Sequence, residues 1–167
     1  KAEVLSSEAV EALARRFGEV AAWARKAGYD GVQLAGSNAK LLHQFLSPTF
    51  NKRDDRYGGS VRARAQILVD IRRAIRNAAG ADFPVLLKYT AIEEGFGEDT
   101  MALAEGLEIA RIAEAEGFAA VTPVAADAAP NTAICRGEFP LASFKNKRIR
   151  QAYARATGTR AGVLLAA

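Results

Sequence analysis

The sequence predicts an α/β chain whose parallel strands are joined by crossover helices, about four helix–strand units forming part of a (β/α)8 barrel. Three observations predict it. The first is a recurring unit in which an amphipathic helix ends at a small-residue turn and a short apolar strand follows. Ala27-Gly28-Tyr29-Asp30-Gly31-Val32-Gln33-Leu34-Ala35 lines up with Glu116-Gly117-Phe118-Ala119-Ala120-Val121-Thr122-Pro123-Val124 on this pattern. The second is that Val85–Tyr89 and Gly162–Ala166 also follow helices, and a repeat of roughly 35–50 residues suits parallel strands with helical crossovers. The third is that the series opens on a helix and contains no G-x-G-x-x-G or Walker pattern, which favours a barrel over a doubly wound sheet. A whole barrel takes about 250 residues. The 167 residues are therefore expected to form one domain over 1–167, holding about half of a barrel.

The elements follow in order. Ser6-Ser7-Glu8 opens the first helix with Ser7 as the expected N-cap; Val10, Leu13, Phe17, Val20, Ala21 and Ala24 fall at helical spacing, and Gly28 closes it. Tyr29–Ala35 reads as a strand with Val32 and Leu34 in the core. Gly36–Gly59 is a long connection carrying a short apolar helix, Leu41–Leu46, stopped by Ser47-Pro48; a connection of that length is more often functional than idle. Gly58-Gly59-Ser60 turns into a second amphipathic helix, with Val61, Ile67, Leu68, Ile71 and Ile75 inward and arginines outward. Val85–Tyr89 has the near-continuous apolar character of a strand buried on both faces. Asp99–Glu116 is the third helix, running through Met101, Leu103, Leu107, Ile109 and Ile112, and Phe118–Val124 is the third strand. Ser143–Thr157 and Val163-Leu164-Leu165 supply the fourth pair.

Composition narrows the function classes. With 50% hydrophobic and 25% charged residues the chain is ordinary globular material. No apolar run is long enough for a membrane span and no export signal is visible. One cysteine, Cys135, excludes an internal disulfide and one histidine excludes a His-rich metal site, so a reducing cytoplasm is the expected compartment. Between Arg136 and Arg160 seven basic residues face one acid, so that segment carries +6 and the rest of the chain −2. Without interleaved aromatics this reads as a solvated face with snorkelling stems rather than a nucleic-acid surface.

Parallel topology sends Ala35–Lys40, Lys88–Glu94 and Thr122–Asp127 to one edge, where such folds keep their chemistry. Lys88 is the one charge inside an otherwise apolar strand. An ammonium there needs a partner: an anionic or electron-rich ligand, a reaction as a nucleophile of lowered pKa, or a salt bridge to Glu93 or Glu94. Asn38 can both donate and accept toward a carbonyl or ring amide, and Lys40 offers a mobile charge. His43, on the apolar face of the short helix, is expected to be a satisfied structural residue. Cys135, beside Arg136 but with no base nearby in sequence, is a poor candidate nucleophile.

The residues just described resemble the Old Yellow Enzyme family, the NADH:flavin oxidoreductase/enoate reductase group. The specific stretch is Leu41-Leu42-His43-Gln44-Phe45-Leu46-Ser47-Pro48, then Asn51-Lys52-Arg53, Asp55, Tyr57-Gly58-Gly59-Ser60 and Arg64; Ala27-Gly28-Tyr29-Asp30-Gly31-Val32 resembles the approach to the family's fourth strand. The likeness covers about residues 5–127. It implies an FMN-binding (β/α)8 barrel that takes hydride from NAD(P)H and delivers it to an activated alkene or related small-molecule acceptor. It places Lys88 where the family has an arginine against the flavin ring, and puts the family's substrate-binding His-x-x-His/Asn pair on Ala35 and Asn38. The proton-donating tyrosine falls on Lys40. Asn38 is an accepted second member of the pair, but Ala35 cannot hydrogen-bond, and losing one such contact can cost about 10²-fold in rate. Lys40 would need a lowered pKa to act as an acid. A variant chemistry, or a substrate with its own anionic group near Lys40, suits these departures.

The family's first strands and its phosphate-binding loops after strands seven and eight are not recognisable in the chain. Open sheet edges are accordingly expected to favour self-association or pairing with the rest of the barrel. Two other readings stay open at this point: a Schiff-base lyase or aldolase with Lys88 as nucleophile, and a non-catalytic barrel remnant acting as an interaction module.

Overall fold

Among the described residues, helix precedes strand three times. A computed structural model describes residues 4–93 and 99–125, all within one compact unit, Lys1–Asn131. The expected helix Ser143–Thr157, the strand Gly162–Ala166, the basic segment Arg136–Arg160, Cys135 and Glu94 lie outside the described residues.

The first helix, α1 (Ser7–Lys26), is capped one residue earlier than expected: Ser6 is the N-cap and accepts from the Ala9 amide at 3.2 Å. The Ser7 hydroxyl instead donates to Asp55 at 2.6 Å, a tertiary contact invisible to local pattern. Gly28 follows the helix with φ +90°, the left-handed conformation that ends helices. The strand β1 (Val32–Gly36) leads to the short helix α2 (Leu41–Leu46). What reads as one second helix is two, α3 (Val61–Arg64) and α4 (Gln66–Ala79), parted at Ala65. Then come β2 (Val85–Thr90), α5 (Leu103–Ala115) and β3 (Ala120–Val124).

The strands pair in parallel in the order β1-β2-β3. The sheet thus advances one strand at a time in one direction, as in a barrel, instead of doubling back. One face is covered by helices. Leu34, Val85, Leu87 and Tyr89 are buried on it against Ile67, Leu68, Ile71 and Ile75 of α4 and Ile109 and Ile112 of α5. Full burial of such side chains contributes about 1.5–3 kcal/mol each. α1 packs on α4 through small residues: a Cβ at Gly18 would stand 2.7 Å from the Ala74 carbonyl oxygen.

Three expectations about facing fail for the same reason, that the contact partner decides which turn of a helix is covered. Val20 is exposed, whereas Val10 and Ala21 of the expected row are buried together with Ala14 and Gly18. Leu103 and Leu107 are exposed, while Gly106, Ile109, Ile112 and Ala113 face inward. The arginines of α3 and α4 are not all outward: Arg64 and Arg72 are buried, each donating to a backbone carbonyl. Arg72 donates to Gly117 O at 3.1 Å; burial first, then Arg76, pulls its pKa down.

Candidate active site

The opposite face of the sheet carries the candidate site. Side chains alternate along a strand, so with Leu87 and Tyr89 turned to the helices, Leu86 and Lys88 emerge on the other side, where both are only half-buried. β2 is therefore not covered on both faces within the described residues, as its apolar run had suggested. Register lines up Ala35, Lys88 and Thr122 across the three strands, with Ala35 and Thr122 exposed. Lys88 has no ion-pair or hydrogen-bond partner among the described residues. The alternative of a salt bridge to Glu93 does not form, because Glu93 is committed elsewhere.

Beyond β1 the chain makes a tight turn, with the Lys40 amide donating to Ser37 O at 3.3 Å. Asn38 and Ala39 are both left-handed, at φ +59° and +53°. That conformation is tolerable for asparagine but costs an alanine about 1–2 kcal/mol. Two side chains of α2 hold it: the Ala39 amide donates to His43 Nδ1 at 2.8 Å, and Gln44 Nε2 donates to Ala39 O at 2.8 Å. Asn38 is half-buried, and its Oδ1 is shielded from solvent without a hydrogen-bond partner. Lys40 is exposed.

His43 is fully buried, as its place on the apolar face led one to expect. Because Nδ1 accepts from an amide, the ring proton belongs on Nε2. Nε2 approaches Glu93 Oε1 within 2.9 Å, though without the alignment of a good hydrogen bond. Glu93, just past β2, is fastened on every side: Oε2 accepts from the Met101 amide at 2.8 Å, the Thr49 hydroxyl stands 3.2 Å away, and the Glu93 amide donates to Met101 O at 3.0 Å. Burial pushes its carboxyl pKa up, but the close approach of His43 together with Ser47 and the Met101 amide outweighs burial and leaves it below the usual value. This carboxylate was not found by sequence reasoning as a partner of His43. The one signal was an acid next to an apolar strand end, and it pointed equally well to Lys88.

The most distinctive lettering of the chain, Asn51 to Arg64, is architectural. Asn51 Nδ2 donates to the carbonyls of Phe45 (2.6 Å) and Tyr57 (2.7 Å), while its Oδ1 accepts from the Arg53 amide at 3.1 Å. Arg53 forks onto Asp55, whose pKa is driven far below the usual carboxylate range first by that bond, with Ser7 and the Tyr57 amide assisting against burial. Gly58 has no room for a side chain, since a Cβ would lie 2.0 Å from Arg53 O. A pocket of about 470 Å³ opens between Val4, Leu5, Leu41, Phe50 and Lys52, but none of Ala35, Asn38, Lys40 or Lys88 lines it. Concavity alone would have led away from the strand ends.

A one-directional parallel sheet with crossover helices is consistent with a segment of a (β/α) barrel, a fold whose carboxyl edge is where its enzymes place their sites. The chain belongs to the NADH:flavin oxidoreductase / NADH oxidase family, whose profile matches residues 1–140. It is 36% identical over 113 residues to the NADH oxidase of Thermoanaerobacter brockii, covering 68% of this chain and 17% of that protein. It is 36% identical over 130 residues to the cinnamate reductase of Clostridium sporogenes, covering 70% of this chain and 20% of the relative. The crystal structure of Old Yellow Enzyme from Pichia sp. AKU4542 superposes with a TM-score of 0.61 at 28% identity, over 72% of this chain and 34% of that one. The chain thus spans a fifth or less of the length of those two sequence relatives.

Proposed function

We propose that this chain supplies the central strands of an FMN-dependent NAD(P)H oxidoreductase of Old Yellow Enzyme type, acting on a small activated alkene or related acceptor. The observation that carries the reading is the in-register row Ala35–Lys88–Thr122 on the uncovered face, with a half-buried ammonium that no acid of the described residues neutralises. An ammonium in that position fits the electron-rich pyrimidine end of a flavin ring, and the alanine beside it leaves the ring room. FMN, when bound, supplies the acceptor and donor of hydride between NAD(P)H and the substrate.

The chain's own residues then have distinct tasks. Lys88 holds a positive charge against negative charge developing on the ring. Asn38, half-buried at the end of β1, donates from its Nδ2 to orient the substrate's carbonyl oxygen. Ala35 leaves that oxygen with one contact where the family pattern has two. Lys40, exposed at the rim, serves as proton donor or binds an anionic group of the substrate. The cinnamate reductase among the relatives is named for a carboxylate-bearing alkene, which suits the second task. A cytoplasmic setting and association through the open sheet edges accompany this reading.

Visible spectroscopy tests it. Incubation with FMN is expected to give a yellow protein whose absorbance bleaches with NADPH or NADH and returns with cinnamate. Lys88→Ala is expected to weaken FMN binding about 10–100-fold, the value of a charge-assisted hydrogen bond, and Lys88→Arg to restore it within about threefold. Equal FMN affinity in wild type and Lys88→Ala refutes the assignment. Borohydride trapping of a carbonyl compound on Lys88 would instead establish the lyase reading.

A further inference from the structure

The Asn38–Ala39 turn is held by more than its own backbone. Two consecutive non-glycine residues in the left-handed region form an unfavourable conformation that a free loop would leave. Both polar groups of the Ala39 peptide unit are engaged by neighbours on α2, the amide by His43 Nδ1 and the carbonyl by Gln44 Nε2, each at 2.8 Å. The His43 ring cannot swing away. Its far nitrogen stands 2.9 Å from Glu93, and Phe50 lies edge-on to it with ring centroids 5.9 Å apart. Glu93 in turn is tied to Met101 through both its side chain and its backbone. The chain of contacts thus runs from the end of β2 through a buried imidazole to the turn after β1.

We propose that His43 and Gln44 are positioning residues that hold the Ala39 peptide in its left-handed turn and so fix Asn38 toward the acceptor. The inference rests on the reading of Asn38 as a substrate contact. Without the clamp the turn relaxes, the competent orientation is populated a fraction of the time, and apparent affinity for the acceptor falls by that fraction, about tenfold for a population of one in ten. FMN binding, which depends on Lys88, is untouched.

The test uses FMN-loaded protein. Binding of cinnamate and of 2-cyclohexen-1-one is followed through the flavin's visible absorbance, and KM and kcat through NADPH oxidation. His43→Gln keeps a donor near Glu93 but withdraws the acceptor from Ala39, and is expected to raise acceptor Kd and KM about tenfold. His43→Asn places an oxygen where Nδ1 stood and is expected to recover most of that loss. Gln44→Met, at an exposed position where folding is not at risk, is expected to raise Kd about threefold with FMN affinity unchanged. Adding His43→Gln to Asn38→Ala is expected to produce no further rise, since both act through one contact.

An acceptor Kd unmoved by Gln44→Met overturns the clamp. So does His43→Asn behaving no better than His43→Gln, because a merely structural histidine would not distinguish the two nitrogens. If Asn38→Ala leaves acceptor binding unchanged, or the wild-type protein binds neither compound, the reading of Asn38 fails and the clamp falls with it.

Discussion

Removing Arg64 gives the sharpest measure of what the long connection contributes. Its guanidinium is buried, with Nε donating to Leu46 O at 2.8 Å, one Nη to Gly59 O at 2.6 Å and the other to Glu105 at 2.6 Å. One side chain therefore joins the end of α2, the turn before α3 and the first turn of α5. Arg64→Ala leaves two carbonyls and a partly buried carboxylate without their donor. Each such hydrogen bond to a charged group contributes about 1.5–3 kcal/mol, and the three share one side chain, so the sum is not additive. Loss of one partner of a buried pair costs about 3–5 kcal/mol, and we expect that range for Arg64→Ala. Lysine carries the charge but not the fork, so Arg64→Lys should lose about 2 kcal/mol. Urea unfolding followed by circular dichroism reads both. With a slope of about 1–3 kcal/mol per molar urea, Arg64→Ala shifts the midpoint down by about 2 M. A midpoint for Arg64→Lys indistinguishable from wild type would refute the claim that directional bonds, rather than charge, are what matter here.

Other perturbations follow from the same structure. Gly106→Ala would place a Cβ 2.0 Å from the Ala91 carbonyl oxygen and force α5 away from β2, at a cost of about 3 kcal/mol. Gly28→Ala meets nothing within 4 Å and pays only for its positive φ, about 1–2 kcal/mol; equal melting-temperature losses for the two variants would contradict this. Glu93 and Asp55 both have folded-state pKa values below the unfolded ones, so their stabilisation is complete above the ordinary carboxylate pKa of about 4 and is lost as pH falls through the lowered values. Urea titrations at neutral and acid pH should show that loss, and the double variant Asp55→Asn/Glu93→Gln should flatten it; an unchanged slope excludes these two groups as its source. Lys40→Ala should reduce the preference for cinnamate over 2-cyclohexen-1-one by up to about fivefold, the modest value of an exposed ion pair, measured as a ratio of kcat/KM.

The parallel sheet was legible because strand and turn recur with the same small residues, Gly28 and Gly117, both of which adopt the positive φ that ends a helix. The core of α4 was legible because Ile67, Leu68, Ile71 and Ile75 repeat at helical spacing and are all fully buried. Lys88 was conspicuous as a charge in an apolar run, and its emergence on the uncovered face follows from strand alternation alone. What local pattern could not convey is long-range polar pairing. Arg64 and Arg72 read as surface cations until the carbonyls they reach are in place, and Glu93 read as a partner for Lys88 because His43, fifty residues earlier in the chain, is brought to it only by the fold. The strained turn at Asn38 and Ala39 was equally hidden, since neither residue is the glycine that normally announces a left-handed backbone.

The lysine of β2 stands on the middle strand of the three, laddered to a neighbour on either side. Its Cα therefore has almost no freedom to migrate, because any shift would break amide pairing with two strands at once. Variation at this position can change the nature of the charge far more easily than its location. The Ser37–Lys40 segment, in contrast, lies beyond the last laddered residue of β1, so its backbone is held by α2 side chains and not by strand pairing.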